Sequence, residues 1–137
     1  MLLNLSNHAS ANWSAAQIQA AKKSFGEIRD VPFPAIAPNV DLNTIIALTQ
    51  EYVHKCQAFI KPQATSNEQP ATSNEPPASA IHVMGEMTFV YQFVKRATAA
   101  GLRCVASTTE RIAVDHPDGS KTSEFHFIRF RDYEKLE

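Results

Sequence analysis

Short strand-like runs at residues 1–5, 27–31, 80–84 and 102–106 are separated by stretches whose apolar residues recur at helical spacing. The first helical stretch has a legible start. Ser14 and Gln17 form an S-x-x-Q capping box, in which each side chain is expected to satisfy a free backbone donor of the first turn. Trp13 stands where a hydrophobic staple onto Ile18 is expected, Ile18, Ala21 and Phe25 share a face, and Gly26 supplies the stop. Prolines at 32, 34 and 38 hold the next connection extended, and Asp41 caps a second helix with Ile45, Leu48, Tyr52, Cys56 and Phe59 on its apolar face. Phe89, Val90, Phe93, Val94 and Ala97 mark a third helix ending at Gly101.

From Arg111 the pattern changes to strand-like residues at 112–115, a His116-Pro117-Asp118-Gly119-Ser120 turn, and a second strand at 124–130. The order β-α-β-α-β-α-β-hairpin predicts an α/β fold: a mostly parallel sheet, helices on both faces and an antiparallel C-terminal hairpin. In the last strand Phe125 and Phe127 are expected to point one way, Ile128 and Phe130 the other. Both faces then need cover, either from within the chain or from a second copy in a homodimer.

Residues 62–79 break the pattern. The heptad Ala64-Thr-Ser-Asn-Glu-Gln-Pro recurs almost unchanged from Ala71, too polar to bury a face, and reads as a flexible surface loop within a single domain spanning 1–137. Insertion there costs little, because closure entropy grows slowly with loop length.

Composition narrows the classes. A net charge of −1 lacks the basic stripe of a general nucleic-acid coat, so DNA is not an expected partner, although a small anionic ligand needs only a few local donors. No stretch approaches the roughly 20 apolar residues of a membrane span, and no Lys or Arg precedes the first apolar run as in a secretory signal. Cys56 and Cys104 sit among apolar residues, as buried free thiols suited to a reducing cytoplasm. No His/Cys/Asp/Glu spacing typical of a metal site occurs, and neither G-x-G-x-x-G nor G-x-x-x-x-G-K, so no metal or cofactor is expected.

Three of the apolar runs empty into polar clusters: Ser6-Asn7-His8-Ala9-Ser10, Gly85-Glu86-Met87-Thr88 and Ser107-Thr108-Thr109-Glu110-Arg111. In an open α/β sheet the carboxyl ends of parallel strands share one edge, and ligands bind in the crevice there. The three clusters are therefore expected to converge. Each also has a plainer reading. Asn7, His8 and Ser10 can form a polar turn, and Glu86 can complement a helix dipole instead of accepting from a ribose or adenine. Thr108 and Thr109 can be turn formers, and Glu110 with Arg111 a surface ion pair. Gly85 would let a ligand approach the backbone, and Arg111 would hold a phosphate through its planar fork.

The segments Leu5-Ser6-Asn7-His8-Ala9-Ser10-Ala11-Asn12-Trp13, Met84-Gly85-Glu86, Ser107-Thr108-Thr109-Glu110-Arg111 and Phe127-Ile-Arg-Phe-Arg-Asp-Tyr133 resemble the small stand-alone CRISPR-associated proteins of type III systems. The resemblance implies a CARF-like, Rossmann-like domain and an antiviral-defence role as a ring nuclease. It implies a cytoplasmic homodimer that takes cyclic oligoadenylate, foremost cyclic tetra-adenylate, across its two-fold axis. Metal-independent attack of a ribose 2′-hydroxyl would then leave 2′,3′-cyclic phosphate ends. Carried over by position, His8 would act as acid–base or phosphate ligand, Ser107 and Thr108 would position the phosphate, and Arg111 would stabilise charge. Ser6, Asn7, Ser10, Gly85, Glu86, Thr88, Thr109 and Glu110 would bind the ligand. A sensor or sponge that binds the ring without cutting it is the alternative. On this reading Arg111→Ala is expected to cost tenfold or more in turnover.

Overall fold

The computed structural model describes residues 1–61 and 78–135. The low-complexity segment at 62–79 lies outside the described residues, Ala78 and Ser79 excepted. In chain order the elements are β1 (Leu2–Ser6), α1 (Ala15–Phe25), β2 (Ile28–Asp30), α2 (Leu42–Gln57), β3 (Ala80–Met84), α3 (Met87–Ala99), β4 (Cys104–Asp115) and β5 (Lys121–Asp132), with a 3₁₀ turn at Ser10–Asn12. The fold is α/β. One five-stranded mixed sheet has the order β2-β1-β3-β4-β5, in which β1 to β4 run parallel and β5 is antiparallel to β4.

The two sheet faces differ in how they are covered. Alternate side chains Leu3, Leu5, Ile81, Val83 and Cys104 pack into one core with Ile45, Val53, Phe89 and Phe93 of α2 and α3. The opposite face carries Leu2, Ala80 and Val105 under Ala21 and Phe25 of α1. On that second face, Met84 excepted, the apolar residues give way after the first inward position of each strand. Towards the carboxyl ends the same rows continue as Asn4 and Ser6 on β1, His82 on β3 and Ser107 on β4. The strand order reverses between β1 and β3, which is where such a sheet opens a crevice.

Local chemistry sets most of the element ends. Ser14 Oγ accepts from Gln17 N at 3.2 Å, and Asp41 Oδ1 from Thr44 N at 2.9 Å, capping α1 and α2. Gly26 and Gly101 adopt positive φ beyond α1 and α3. The expected turn at residues 116–120 forms, closed by His116 N on Ser120 O at 2.9 Å, with Gly119 at φ 85°. Both cysteines are free and buried, and burial pushes their thiols up to about 12.

Four expectations need correction. The fourth strand does not end at residue 106 but runs to Asp115, because β5 pairs with it from Val105 to Asp115 and gives its backbone a ladder on that edge. The capping box forms by half among the described residues: Ser14 Oγ accepts from Gln17 N, but the Gln17 side chain is not bonded back to Ser14 N. It is buried in α1 with Ala21 and Phe25, beside a Trp13 ring that meets His82 edge-on at 5.1 Å and Phe130 at 6.3 Å. Phe59 is exposed past the end of α2, with the Arg29 guanidinium 4.4 Å above its ring. In β5, Thr108 pairs with Arg129 and Thr109 with Phe127, leaving Ile128 as an extra residue. That bulge resets the alternation, so Phe130 lies with Phe127, ring centroids 5.0 Å apart, instead of opposite it.

Candidate functional site

Asn4 is the hinge of the site. It is buried at the centre of β1, in register with Asp30 on β2 and His82 on β3. Its Nδ2 donates to Asp30 Oδ1 and to the His8 carbonyl, each at 2.8 Å. Both partners are acceptors only, which fixes the amide with Oδ1 towards Ser6 Oγ at 2.7 Å and His82 Nδ1 at 2.9 Å. His82 Nδ1 must then carry the proton. In the neutral ring Nε2 is left as a lone pair, 3.0 Å from Ser107 Oγ; Met84 Sδ lies at the same 3.0 Å, and the Ser107 hydroxyl donates to the nitrogen, the stronger acceptor of the two. The result is a directed chain, Ser107 to His82 to Asn4 to Asp30, crossing four adjacent strands.

His82 and Asp30 are tuned by their surroundings. His82 is 2% exposed and wedged between Trp13 at 5.1 Å and Phe130 at 5.8 Å. Burial, with the nearby His8 imidazole adding to it, lowers its pKa from 6.5 to about 4, so the ring is neutral at physiological pH. Burial works against the Asp30 carboxylate, but hydrogen bonds from Asn4, from Ser10 N and from Ser10 Oγ outweigh it and hold the pKa below the usual range. Charge sits at one end of the chain and a polarised hydroxyl at the other.

That hydroxyl opens on a cavity of about 500 Å³, within the range of roughly 300–1,000 Å³ typical of small-molecule sites. Ser6 and His8 reach it from the end of β1, His82 and Met84 from β3, Ser107 and Thr109 from β4. Trp13, Phe125 and Phe127 provide aromatic wall, the last two carried over the sheet edge by the long hairpin. A neighbouring cavity of about 400 Å³ is lined by Asn4, Asp30 and the Pro32-Phe33-Pro34 loop, and Asn7 lines this one instead.

The first and third sequence clusters thus converge, and the second does not. The Glu86 carboxylate caps α3, accepting from Phe89 N at 2.8 Å and from Thr88 N at 3.2 Å, with the Thr88 hydroxyl on it as well. The hydrogen bonds from the Thr88 side chain and the Phe89 backbone hold its pKa low. Gly85 makes room for a side chain, not a ligand: a Cβ there would run into the Phe33 ring. Ser10 is bound to Asp30, and Thr108 Oγ1 donates to Arg129 O at 3.1 Å on the side of β4 away from Ser107. Glu110 and Arg111 lie further out on the exposed hairpin, where Arg111 Nε donates to Ser123 Oγ at 3.0 Å.

The match to a family model runs over residues 1–131, from β1 through the bulge of β5, and so takes in every residue of the chain from Ser107 to Asp30. The chain belongs to the uncharacterized protein MJ1673 family. No curated protein and no solved structure matches it. Among the described residues no group of three His, Cys, Asp or Glu converges, and no helix is long and apolar enough to cross a membrane.

Asn4, Asp30 and His82 were not among the residues the sequence singled out. One signal was available. Asn4 and His82 are each a lone polar residue inside an otherwise apolar run, and a buried polar side chain needs a partner.

Proposed function

We propose that this chain is a ring nuclease of CARF-like fold, which binds cyclic oligoadenylate and cleaves it to linear products with 2′,3′-cyclic phosphate ends, switching off type III CRISPR signalling. The observation that carries the reading is the Ser107–His82–Asn4–Asp30 chain, ending in a polarised hydroxyl on an aromatic-walled cavity. The resemblance of the Ser107-to-Arg111 and Phe127-to-Tyr133 segments supplies the substrate class.

In this reaction the ribose 2′-oxygen bonds to phosphorus as the P–O5′ bond breaks. Ser107 takes the 2′-proton as it passes its own to His82 Nε2, and the Asn4 oxygen steadies the resulting imidazolium. An anionic phosphate in the cavity raises the proton affinity of His82 for that step. His8, exposed at the rim, gives a proton to the departing 5′-oxygen; the proton left on His82 passes to solvent, from which His8 is reprotonated. Holding nucleophile, phosphorus and leaving oxygen in line supplies the remaining acceleration.

The chain acts as a cytoplasmic homodimer on this reading, each copy offering one cavity to the ring. Phe125 at 66% and Ile128 at 56% exposure on the hairpin support such a contact. The test is incubation with cyclic tetra-adenylate in EDTA and chromatography of the products. Linear di-adenylate with a cyclic phosphate end is expected. An intact ring that stays bound would replace the nuclease by a sensor or sponge, and absence of binding to any ring would end the reading.

A further inference from the structure

Gln17 stands out among the buried polar side chains. It is 9% exposed, at the third position of α1, and lines the cavity beside Trp13 and His82. In a capping box its amide would reach back to the Ser14 N–H. Here only Ser14 Oγ takes part, and the Gln17 amide makes no hydrogen bond among the described residues. Among the described residues no side-chain nitrogen or oxygen is sealed off without a partner, so the amide remains reachable from the cavity. The amide therefore presents its donors and its acceptor to whatever fills the cavity, without a competing partner from the protein.

The chemistry of what would pair is specific. An amide offers one acceptor and two donors in a plane, and the matching edge in nucleic acids is adenine, whose N6 amino group donates while N7 accepts. The walls suit the faces of a flat heteroaromatic ring, because Trp13 and Phe127 line the cavity and base–aromatic stacking is favourable for any base. Stacking alone cannot choose among bases; the Gln17 amide can.

We infer that this cavity is an adenine site, with Gln17 the residue that selects the base and Trp13 and Phe127 the surfaces that stack on it. This rests on the proposed function in naming the ligand class and adds the residue that reads it. Inosine, with an oxygen where adenine carries its amino group, would face the Gln17 oxygen with another acceptor.

Trp13 is the single tryptophan of the chain, so its fluorescence reports on this cavity alone. The full chain is titrated with linear di-adenylate and, separately, with di-inosinate. Saturable quenching is expected, with di-adenylate binding at least about tenfold tighter. In Gln17→Leu, folded by circular dichroism, the two affinities should come within about threefold. Wild-type di-adenylate carrying 7-deaza-adenine provides the same test without a mutation and should lose about tenfold. Absence of quenching, equal affinities in the wild type, full retention of the preference in Gln17→Leu, or undiminished binding of the 7-deaza ligand would each overturn the assignment. Selective binding of di-adenylate beside an uncut cyclic ring would remove the nuclease reading and leave the adenine site standing. Cleavage of the ring without adenine preference would do the reverse.

Discussion

His82 Nε2 and Ser107 Oγ lie 3.0 Å apart, and the hydrogen bond between them can run in one direction only. The reason lies two strands away. Asp30 and the His8 carbonyl occupy both protons of the Asn4 amide, the amide oxygen claims the proton on His82 Nδ1, and the remaining imidazole lone pair accepts from Ser107. Hydrogen bonds in such a series polarise one another, so the carboxylate acts on a hydroxyl it never touches. The orientation of a hydroxyl on β4 is therefore settled on β2.

Ser107 and Arg111 should separate kinetically. Along a strand at about 3.3 Å per residue, Arg111 lies roughly 13 Å beyond Ser107 on the same side of β4. At that distance it meets an extended anionic ligand but not the reacting phosphorus. On the proposed function, Ser107→Ala should lower kcat for cyclic tetra-adenylate by at least about a hundredfold with binding nearly kept. Arg111→Ala should instead weaken binding about tenfold, more at low salt, and leave kcat within a few-fold. This moves the turnover loss expected at Arg111 to Ser107. Single-turnover rates and titrations on both variants would check it, and a kcat loss confined to Arg111→Ala would sink it.

Asn4 should be the least replaceable polar residue of the sheet. Asn4→Leu strands the buried His82 Nδ1, whereas Asp30 keeps its bonds from Ser10 and the Ser6 hydroxyl keeps the His8 carbonyl. A buried donor left unpaired costs about 1–3 kcal/mol, so urea denaturation should show a loss in that range. A loss below about 0.5 kcal/mol would mean that water replaces the amide without penalty.

The strand and helix order was legible because periodicity survives without tertiary information. The caps at Ser14 and Asp41 are local devices written within four residues. The site was half legible. Ser6, His8, Ser107 and Thr109 stand where strands meet the sheet edge, and edge position follows from topology. Asn4 and His82 were missed because function was sought after the strands and not inside them. The Ile128 bulge has no local signature in the sequence, and it alone decides that Phe130 joins Phe127 over the cavity side. Glu86 was open between cap and ligand, and only the observed bond to Phe89 N commits the carboxylate to the helix.

Gly85→Ala should be felt in stability before function. The added methyl meets the Phe33 ring, which is itself packed edge-on against Phe89 at 5.0 Å. Overpacking of this kind costs about 1–3 kcal/mol. Thermal unfolding should show the loss, while quenching of Trp13 by di-adenylate stays unchanged, since Gly85 does not line that cavity. A variant as stable as wild type would show that the Phe33 loop gives way freely.

The pH dependence of folding offers a direct reading of His82. Its folded pKa of about 4 lies below the ordinary 6.5, so between these values the unfolded chain binds a proton that the folded chain refuses. Stability linked to this residue is therefore fully present above pH 6.5. It falls as pH is lowered, with the loss complete only below about 4, and amounts to on the order of 3 kcal/mol across the window. His82→Gln keeps a donor and an acceptor at the position and does not titrate, so its stability should vary less between pH 6.5 and 4 even if it is lower throughout. Urea midpoints at half-unit steps of pH for both proteins would decide. Parallel curves would mean that His82 protonates freely in the folded state, and the directed bond from Ser107 would then reverse.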